Sequence, residues 1–229
     1  MGIWRDRVVP RAADFALDNR EIRRFREEVV AGTSGEVVEV GFGSGLNLAL
    51  YPPAVTKVLA VEPSAVATRL AAKRIGSARV PVEVVGLDAQ QLPLETASAD
   101  AAVSTFTLCT IPDPRRALEE LLRVLRPGGT FHFLEHGLSP VPAVARWQRR
   151  LNPLQRRLAA GCHLDRQIDR IVEEAGFVLD EVRNDEMTGP LPLRPFGYLY
   201  IGTATKPGGA GRSIERRASH PETATSSPS

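Results

Sequence analysis

The sequence predicts an α/β fold in which a parallel β-sheet carries helices on both faces. Short runs of β-branched and other apolar residues recur from residue 36 onward, and amphipathic stretches with helical spacing separate them. Short, continuously apolar strands are typical of a sheet that is covered on both faces. Their alternation with helices favours parallel strands joined by crossover helices. With 229 residues, the chain is long enough for one such domain.

The N-terminal part precedes this alternation and has a helical pattern. Between residues 12 and 31, apolar residues are spaced by seven, three and four positions, with charged residues between them. Such spacing places the apolar residues on one face of a helix that lies on a larger body. The apolar positions are Phe15, Ile22, Phe25 and Val29. We therefore predict an N-terminal helical cap over residues 1–31.

The main domain, predicted over residues 32–205, contains strands and helices in a regular order. The predicted strands are 37–40, 58–61, 82–85, 101–104, 130–134, 177–182 and 197–203. The predicted helices are 65–75, 115–125 and 167–174, and a further helix is expected to start directly after Gly45. Gly176 follows the last of these helices and is typical of a helix end.

Two segments depart from this order. Residues 137–165 are rich in Pro, Arg and Leu, and we predict that they form a helical lid inserted after the fifth strand. Residues 206–229 consist mainly of Gly, Ser, Thr, Pro and Ala with few apolar residues. Such a composition cannot bury enough surface to offset chain entropy, which predicts a disordered tail.

The overall composition excludes several classes of protein. A formal net charge of +2 is far from the basic balance of nucleic-acid-binding domains, so we expect no nucleic-acid partner. No run of about 18 apolar residues is present, which predicts no integral membrane segment. The first 15 residues lack the apolar stretch of a signal peptide, and we expect a cytoplasmic protein. The basic segment 137–165 leaves peripheral membrane contact open as an alternative to a solvated helix face.

A glycine-rich turn follows the first predicted strand. From Val37 the sequence reads Val-Val-Glu-Val-Gly-Phe-Gly-Ser-Gly, with glycines at positions 41, 43 and 45. Glycine lets the backbone turn sharply and approach a ligand that a Cβ atom would block. The free N–H groups at the start of a following helix suit polar ligand atoms. The position of this turn directly after a strand predicts a cofactor-binding loop.

Acidic residues follow the next two predicted strands. Glu62 ends the second strand, where it is placed to accept hydrogen bonds from two ribose hydroxyls; the alternative is an acid that caps the helix after Pro63. Asp88 and Ala89 follow the third strand, where a carboxylate and a backbone N–H suit an adenine ring; the alternative is a loop Asp that caps its own turn. Ligands of open α/β sheets bind beyond the carboxyl ends of the strands, so these residues and the glycine turn predict one site.

Further motifs accompany the three strand ends. They are Glu39-x-Gly-x-Gly-x-Gly45, Ser98-x-Asp100 before a strand, and Arg123-Val-Leu-Arg-Pro-Gly-Gly129. Together with Glu62 and Asp88-Ala89, they resemble the class I S-adenosylmethionine-dependent methyltransferases over roughly residues 30–205. The resemblance implies a Rossmann-like three-layer sandwich whose seven-stranded, mostly parallel sheet has an antiparallel last strand. It also implies S-adenosylmethionine as cofactor, bound by Glu39, Gly41, Gly43, Gly45, Glu62, Pro63, Asp88, Ala89 and Thr105.

A second set of motifs resembles a narrower group, the methyltransferase-like proteins that methylate alkyl thiols in animals. The motifs are Leu108-Cys109, Glu135-His136, Trp147-Gln148, Gly161-Cys162, and Arg194 with Gly197-Tyr198. This resemblance implies a small, lipophilic acceptor such as an alkyl thiol. Three alternatives stay open: methylation of a lipid head group, quinone or sterol; a nicotinamide-dependent oxidoreductase; and a cofactor-binding protein without catalysis.

The acceptor is expected near the ends of the fourth and fifth strands. The sulfonium of the cofactor is already activated, and a thiol with a pKa of about 8.5 ionises easily, so a strong base is not required. His136 is our candidate catalytic residue, with a structural histidine as the alternative. The other predicted pocket residues, for which packing or a structural role is the alternative, are Cys109, Trp147, His163 and Phe196. No cluster of His, Cys, Asp and Glu has metal-ligand spacing, so no metal is expected, and the two cysteines are expected to be packed thiols.

Overall fold

The computed structural model describes residues 4–187 and 195–208. The described chain begins with a π-helical turn, Trp4–Val8, which leads into the first helix. The helices are α1 (Val9–Leu17), α2 (Arg20–Val30), α3 (Ala65–Gly76), α4 (Pro114–Val124), α5 (Pro142–Leu158) and α6 (Ile168–Glu174). The strands are β1 (Gly35–Val40), β2 (Val55–Val61), β3 (Val82–Gly86), β4 (Ala99–Thr105), β5 (Leu125–His136), β6 (Val178–Glu186) and β7 (Tyr198–Thr205).

The seven strands of the described chain form one sheet in the order β3-β2-β1-β4-β5-β7-β6. The pairs β1–β2, β1–β4, β2–β3 and β4–β5 are parallel, and β7 lies antiparallel between β5 and β6. The predicted seven-stranded, mostly parallel sheet with an antiparallel last strand is therefore confirmed. The strand order reverses at β1, so the carboxyl ends of β1 and β4 border the crevice in which ligands of open α/β sheets bind.

Helices cover both faces of the sheet because successive side chains of a strand point to opposite sides. Val38 of β1 belongs to a buried cluster with residues of α4 and α6, whereas Val37 belongs to another cluster with Ala71 of α3. On the second face, α2 packs through Ile22 and Phe25 against β5 and β7. The resulting three layers confirm the predicted Rossmann-like architecture.

The N-terminal cap differs from the single helix that its spacing predicts. The chain forms α1 and α2, with a break at Asn19, whose Oδ1 accepts a hydrogen bond from Ile22 N at 3.0 Å and caps α2. An asparagine cap satisfies a free N–H group at a helix start, which favours a new helix over continuation of the first. Phe15, predicted on the apolar face, is instead 87% exposed on α1.

The helix expected after Gly45 is not formed, and this prediction is wrong. Residues 41–51 pass through turns in which the N–H groups of Gly45, Leu48 and Leu50 each bond to the carbonyl three residues earlier. Pro52 and Pro53 follow immediately, and proline cannot continue a helix because it lacks the N–H donor. The stretch is therefore too short for a regular helix and keeps its backbone close to the sheet edge.

Segment 137–165 contains α5 between two irregular stretches. Its role as a lid and the domain boundaries stay predictions. The predicted disordered tail lies outside the described residues from position 209 onward, as does Arg194. Within the ranges 4–187 and 195–208, no helix is both long enough and apolar enough to cross a membrane.

Candidate active site

The glycine loop lies at the carboxyl edge of the sheet. Gly41 N donates to the Val61 carbonyl at 2.9 Å, which fastens the loop to the end of β2. Gly41, Gly43 and Gly45 have φ values of +67°, +59° and +79°, which favour glycine. A Cβ on Gly41 would come within 1.9 Å of Thr107 Oγ1, whereas a Cβ on Gly43 would meet only the Gly41 carbonyl, at 3.7 Å. The loop is thus packed at Gly41 and open at Gly43.

Glu62 lies at the carboxyl end of β2 and connects it to the glycine loop. Its Oε2 accepts a hydrogen bond from Gly43 N and its Oε1 accepts one from Ser64 N, both at 2.7 Å. Burial raises the pKa of the Glu62 carboxyl, while the two N–H donors lower it. The cap of α3 is Ser64, whose Oγ accepts from Ala67 N at 3.2 Å, so Glu62 is not the helix cap. Pro63, between them, is exposed.

Asp88 and Ala89 follow β3, the neighbour of β2. The Asp88 side chain is exposed, and its Oδ1 accepts hydrogen bonds from Gln90 N at 2.9 Å and from Gln90 Nε2 at 3.0 Å. Glu62 N donates to the Gly86 carbonyl at 3.0 Å, which joins the ends of β2 and β3. Asp88 therefore caps its own turn, and the loop that carries it borders the Glu62 side of the site.

A buried polar network connects α2 with β1 and β4 at this edge. Arg26 Nη1 donates to Asn47 Oδ1 at 2.9 Å and to Thr105 Oγ1 at 2.7 Å. Asn47 Nδ2 donates to Glu39 Oε1 at 2.8 Å, and Tyr51 Oη donates to Glu39 Oε2 at 2.7 Å. Two predicted cofactor residues, Glu39 and Thr105, thus share one network with three residues that the sequence analysis missed.

Burial shifts the pKa values of both charged groups in this network. Burial raises the pKa of Glu39 to about 7, although hydrogen bonds from Tyr51 and Asn47 lower it. Burial lowers the pKa of Arg26 to about 10, and the nearby Glu39 and Glu135 carboxylates oppose this shift. Arg26 Nε is buried without a hydrogen-bond partner in the described part of the chain. The sequence contained one sign that Arg26 is buried. It lies four residues after Ile22, on the apolar side of the predicted helix.

Glu135, near the end of β5, organises the loop that follows β4. Its Oε1 accepts hydrogen bonds from Ser104 Oγ at 2.6 Å and from Thr107 N at 3.0 Å, and its Oε2 accepts one from Cys109 N at 3.2 Å. Burial raises the pKa of this carboxyl, and these hydrogen bonds lower it. Phe106, in the same loop, has a φ of +56°, so the chain turns sharply there. This buried carboxylate therefore holds the loop on which Cys109 lies.

His136 and the two cysteines converge beyond the ends of β4 and β5. The His136 ring packs against the Phe106 ring with centroids 4.9 Å apart. Cys162 Sγ lies 3.6 Å from Cys109 Sγ and 3.8 Å from His136 Nδ1. The hydrogen bond between the thiols raises the pKa of Cys109 and lowers that of Cys162, and burial raises both. Both cysteines are buried, and they do not form a disulfide.

The remaining predicted pocket residues lie on the segment after β5 or near β7. His163 N donates to the Cys109 carbonyl at 2.7 Å, which brings the end of the lid segment to the β4 loop. Burial lowers the pKa of His163, and Asp165 opposes this shift. Trp147 is 55% exposed on α5, with the Arg150 guanidinium 5.7 Å from its ring centre, and Phe196 is partly buried. The structure therefore brings His163 to the loop that carries Cys109 and turns Trp147 toward solvent.

Similarity to known proteins agrees with this geometry. Residues 38–133 match a family described as a methyltransferase domain. The thiol S-methyltransferase TMT1B of Rattus norvegicus is 35% identical over 181 residues, which cover 76% of this chain and 73% of that protein. This chain belongs to the class I S-adenosylmethionine-dependent methyltransferases.

A further relative and a solved structure are also similar to this chain. A phosphatidylethanolamine N-methyltransferase of Cereibacter sphaeroides is 29% identical over 186 residues, which cover 77% of this chain and 83% of that protein. The crystal structure of an S-adenosylmethionine-dependent methyltransferase from Methanosarcina mazei superposes with a TM-score of 0.59 at 20% identity, over 76% of this chain and 92% of the other. The second likeness concerns the fold alone.

Proposed function

We propose that this methyltransferase transfers the methyl group of S-adenosylmethionine to the sulfur of a small, lipophilic thiol. The similarity to the rat thiol S-methyltransferase over most of both chains is the observation that supports a thiol acceptor. The local chemistry agrees with it, because the packed rings of Phe106 and His136 lie beyond the ends of β4 and β5, where we place the acceptor. A partly buried surface formed by two aromatic rings suits a small lipophilic thiol.

We assign the nucleoside part of the cofactor to the ends of β1, β2 and β3. The open side of Gly43 leaves room for a ligand, and Gly41 and Gly45 shape the loop around it. Each Glu62 oxygen accepts one backbone hydrogen bond and has a further lone pair for a ribose hydroxyl. Pro63 follows Glu62 and is exposed, and we assign it as a further contact of the cofactor. On the far side, the Asp88 carboxylate and the backbone N–H of Ala89 receive the adenine ring.

Glu39 and Thr105 act in our assignment as positioning residues. Glu39 is 1% exposed and both of its oxygens accept hydrogen bonds within the network, so it holds Asn47 and Tyr51 in place below the loop. Thr105 accepts from Arg26 at the end of β4. We propose that the Arg26 guanidinium, a buried cation whose Nε has no hydrogen-bond partner among the described residues, attracts the carboxylate at the methionine end of the cofactor.

Methyl transfer requires little beyond alignment of the two reacting atoms. The cofactor supplies a sulfonium whose methyl carbon accepts an electron pair from the thiolate while the carbon–sulfonium bond breaks. The thiol proton goes to solvent, because a thiol ionises near neutral pH without a strong base. We propose that His136 orients the acceptor sulfur, with Cys109, His163 and Phe196 around it and α5 as a lid. Holding both reactants in line supplies most of the catalysis.

A panel of acceptors tests this proposal. The purified protein is incubated with S-adenosylmethionine labelled in its methyl group and with alkyl thiols, aliphatic amines, quinols or phosphatidylethanolamine. We expect labelled thioethers from the thiols and little product from the other acceptors. Transfer to amines, quinols or lipids in the absence of transfer to thiols would contradict the thiol assignment. Calorimetry with S-adenosylhomocysteine and NAD tests the oxidoreductase alternative, for which NAD alone would bind.

We place this activity in the cytoplasm. Cys109 Sγ and Cys162 Sγ lie 3.6 Å apart as free thiols, and glutathione and thioredoxin keep such pairs reduced in the cytosol. Recovery of the native protein in the cytosolic fraction with both thiols free to react with a maleimide after unfolding would agree with this location. A disulfide in the protein isolated under acid quench would contradict it.

A lipid acceptor is the second candidate function, and the surface of α5 favours it. Trp147, Leu154 and Leu158 are about half exposed and lie on one side of the helix. The helix carries five arginines and no acidic residue, a pattern typical of peripheral membrane contact. Sedimentation with vesicles of phosphatidylglycerol or phosphatidylcholine tests this contact. Binding to the anionic vesicles that is lost in Leu154→Ser would support a membrane-bound acceptor; equal recovery in the supernatant would exclude it.

A further inference from the structure

Three potential metal ligands meet beyond the ends of β4 and β5, where we propose that the acceptor binds. Cys109 follows β4, His136 ends β5, and Cys162 follows α5, so more than twenty positions separate each from the next. Their ligand atoms, Sγ, Nδ1 and Sγ, all lie within 4.8 Å of one another. Both cysteines are buried and the histidine is partly buried. The spacing of these residues in the sequence does not predict the cluster, because three separate elements of the fold bring them together.

Two of the three ligand-to-ligand distances in the cluster match those of tetrahedral zinc coordination, and the third, between Cys109 and His136, is at most 4.8 Å. With zinc–sulfur bonds of about 2.3 Å and zinc–nitrogen bonds of about 2.0 Å, neighbouring sulfur ligands lie about 3.8 Å apart and sulfur and nitrogen ligands about 3.6 Å apart. The observed separations are 3.6 Å between the two Sγ atoms and 3.8 Å between Cys162 Sγ and His136 Nδ1. We propose that Cys109, His136 and Cys162 bind one zinc ion. This proposal replaces our expectation of no metal.

Charge balance and rigidity both favour the ion at this position. Two thiolates neutralise the double charge of zinc, so binding leaves no net charge in a buried place, and the two thiol protons are released to solvent. Thiolate and imidazole ligands suit zinc better than they suit magnesium or calcium. The backbone around Cys109 is held on both sides, since its N–H donates to Glu135 and its carbonyl accepts from His163. Such outer contacts orient metal ligands.

The cluster supplies three ligands, which leaves a fourth position for a small molecule. Among the described residues no other His, Cys, Asp or Glu joins the group. Catalytic zinc sites have this form, with three protein ligands and one open position. The acceptor thiol would occupy it as a thiolate after losing its proton to solvent. Its sulfur would then attack the methyl carbon, the carbon–sulfonium bond would break, and the neutral thioether would leave the metal. This last step rests on the proposed thiol acceptor, whereas zinc binding does not.

Metal titration of the reduced, metal-free protein tests the site without reference to activity. Zinc is added in competition with a chromogenic chelator, and the bound metal is counted by mass spectrometry. Cobalt is added in parallel, since thiolate-to-cobalt charge-transfer bands report sulfur ligands directly. We expect one zinc per chain, and about 100-fold weaker binding or more in Cys109→Ser, Cys162→Ser and His136→Asn. His163→Asn, a histidine next to the cluster but outside it, serves as the matched control and should bind zinc normally.

Folding and function are followed separately in the same samples. Each variant is checked by thermal unfolding and by calorimetry with S-adenosylhomocysteine, so that loss of zinc in a folded, cofactor-binding variant is assigned to the site. Zinc should raise the melting temperature of the parent protein and of His163→Asn only. If the parent protein binds zinc no more tightly than the Cys109→Ser/Cys162→Ser double variant, the proposal is wrong. Stoichiometric zinc without transfer to thiols would leave the metal site in place and overturn only the proposed acceptor.

Discussion

Arg26 reaches from α2 into a buried space next to the glycine loop, where it bonds to Asn47 and Thr105. Replacing it with alanine would leave these acceptors and the Glu39 carboxylate without their cation. We expect Arg26→Ala to lower the free energy of unfolding by about 2–4 kcal/mol, because unsatisfied buried partners of a charged group are costly. Urea unfolding and calorimetry with S-adenosylhomocysteine measure the change, and the affinity should fall as well.

Arg23 provides the matched control on the same helix. It pairs with Glu27 at the surface, where both side chains are more than half exposed. Exposed pairs of this kind contribute little, so Arg23→Ala should change the unfolding free energy by less than about 1 kcal/mol and leave cofactor affinity unchanged. Equal losses in the two variants would show that the helix, and not the Arg26 network, determines the effect.

Glu39 should make the stability of the protein depend on pH. Its pKa in the fold is about 7, above the ordinary value of 4.5, because the carboxylate is buried. Between these two values the folded chain retains a proton that the unfolded chain has released, so the contribution of Glu39 to stability falls as the pH rises. Between about pH 5 and about pH 8, the free energy of unfolding of the parent protein should therefore fall by roughly 2 kcal/mol more than that of Glu39→Gln.

Urea unfolding at several pH values measures this slope. Glu36→Gln is the control, because Glu36 lies on the same strand but is only partly buried. It should follow the curve of the parent protein. A Glu39→Gln curve with the parent slope would mean that other buried acids, such as Glu62 and Glu135, account for the pH dependence.

The candidate cofactor residues could be predicted from sequence because each follows an apolar strand. Gly41, Glu62 and Asp88 stand at the ends of β1, β2 and β3, and adjacent strands bring them to one edge. Arg26 was missed because an arginine on an amphipathic helix is ordinarily solvated. The cluster of Cys109, His136 and Cys162 was missed for another reason. It forms only because the chain after α5 returns to the loop that follows β4.

At the scale of elements, Gln148 anchors α5 to the rest of the domain. It is 1% exposed, its Oε1 accepts from Ser139 N at 2.8 Å, and its Nε2 donates to the Gly137 and Pro195 carbonyls at 2.9 and 3.1 Å. Gln148→Ala removes all three hydrogen bonds and leaves buried backbone groups unsatisfied, which we expect to cost about 2–3 kcal/mol.

The Gln148→Ala substitution should loosen α5 and lower the turnover of the acceptor without affecting the rest of the domain. Hydrogen exchange should speed up over residues 142–158, and turnover should fall. The affinity for S-adenosylhomocysteine should stay within about twofold, because we assign the cofactor to the ends of β1, β2 and β3, away from α5. Arg149→Ala, the exposed neighbour of Gln148, is the control and should leave exchange unchanged. A drop in cofactor affinity equal to the drop in turnover would contradict a separate lid.

The seven strands and the helices α3, α4 and α6 agree with the predicted order because each is specified by local apolar spacing. The boundaries moved outward by a few residues at most positions, since pairing extends strands beyond their apolar centres; β5, for example, runs from Leu125 to His136. The expectation of a single helix in the N-terminal cap was wrong for a local reason that spacing does not show: the hydrogen bond from Ile22 N to Asn19 starts a second helix. Pro52 likewise ends the stretch after Gly45 before a helix can form.

At the scale of the whole molecule, hydrogen bonds join the N-terminal helices to the glycine loop at which we propose that the cofactor binds. Asp14 Oδ1, on α1, accepts hydrogen bonds from Ser44 Oγ at 2.5 Å and from Arg74 Nη1 at 2.9 Å, so α1 joins the glycine loop to α3. Arg26 of α2 joins the same loop region to β4. Residues that are far apart in sequence therefore hold one loop, and a ligand bound there should stabilise all of them together.

Hydrogen exchange with and without S-adenosylhomocysteine tests this coupling. At a concentration 100 times its dissociation constant, the ligand should add about 2.7 kcal/mol to the unfolding free energy. Protection should extend beyond residues 41–45 to the ends of β2 and β4 and into α1 and α2, because these elements share hydrogen bonds with the loop. In Asp14→Ala the protection of α1 should be lost while that of β2 remains. Protection confined to the glycine loop in the parent protein would show that the N-terminal helices lie on the domain without taking part in cofactor binding.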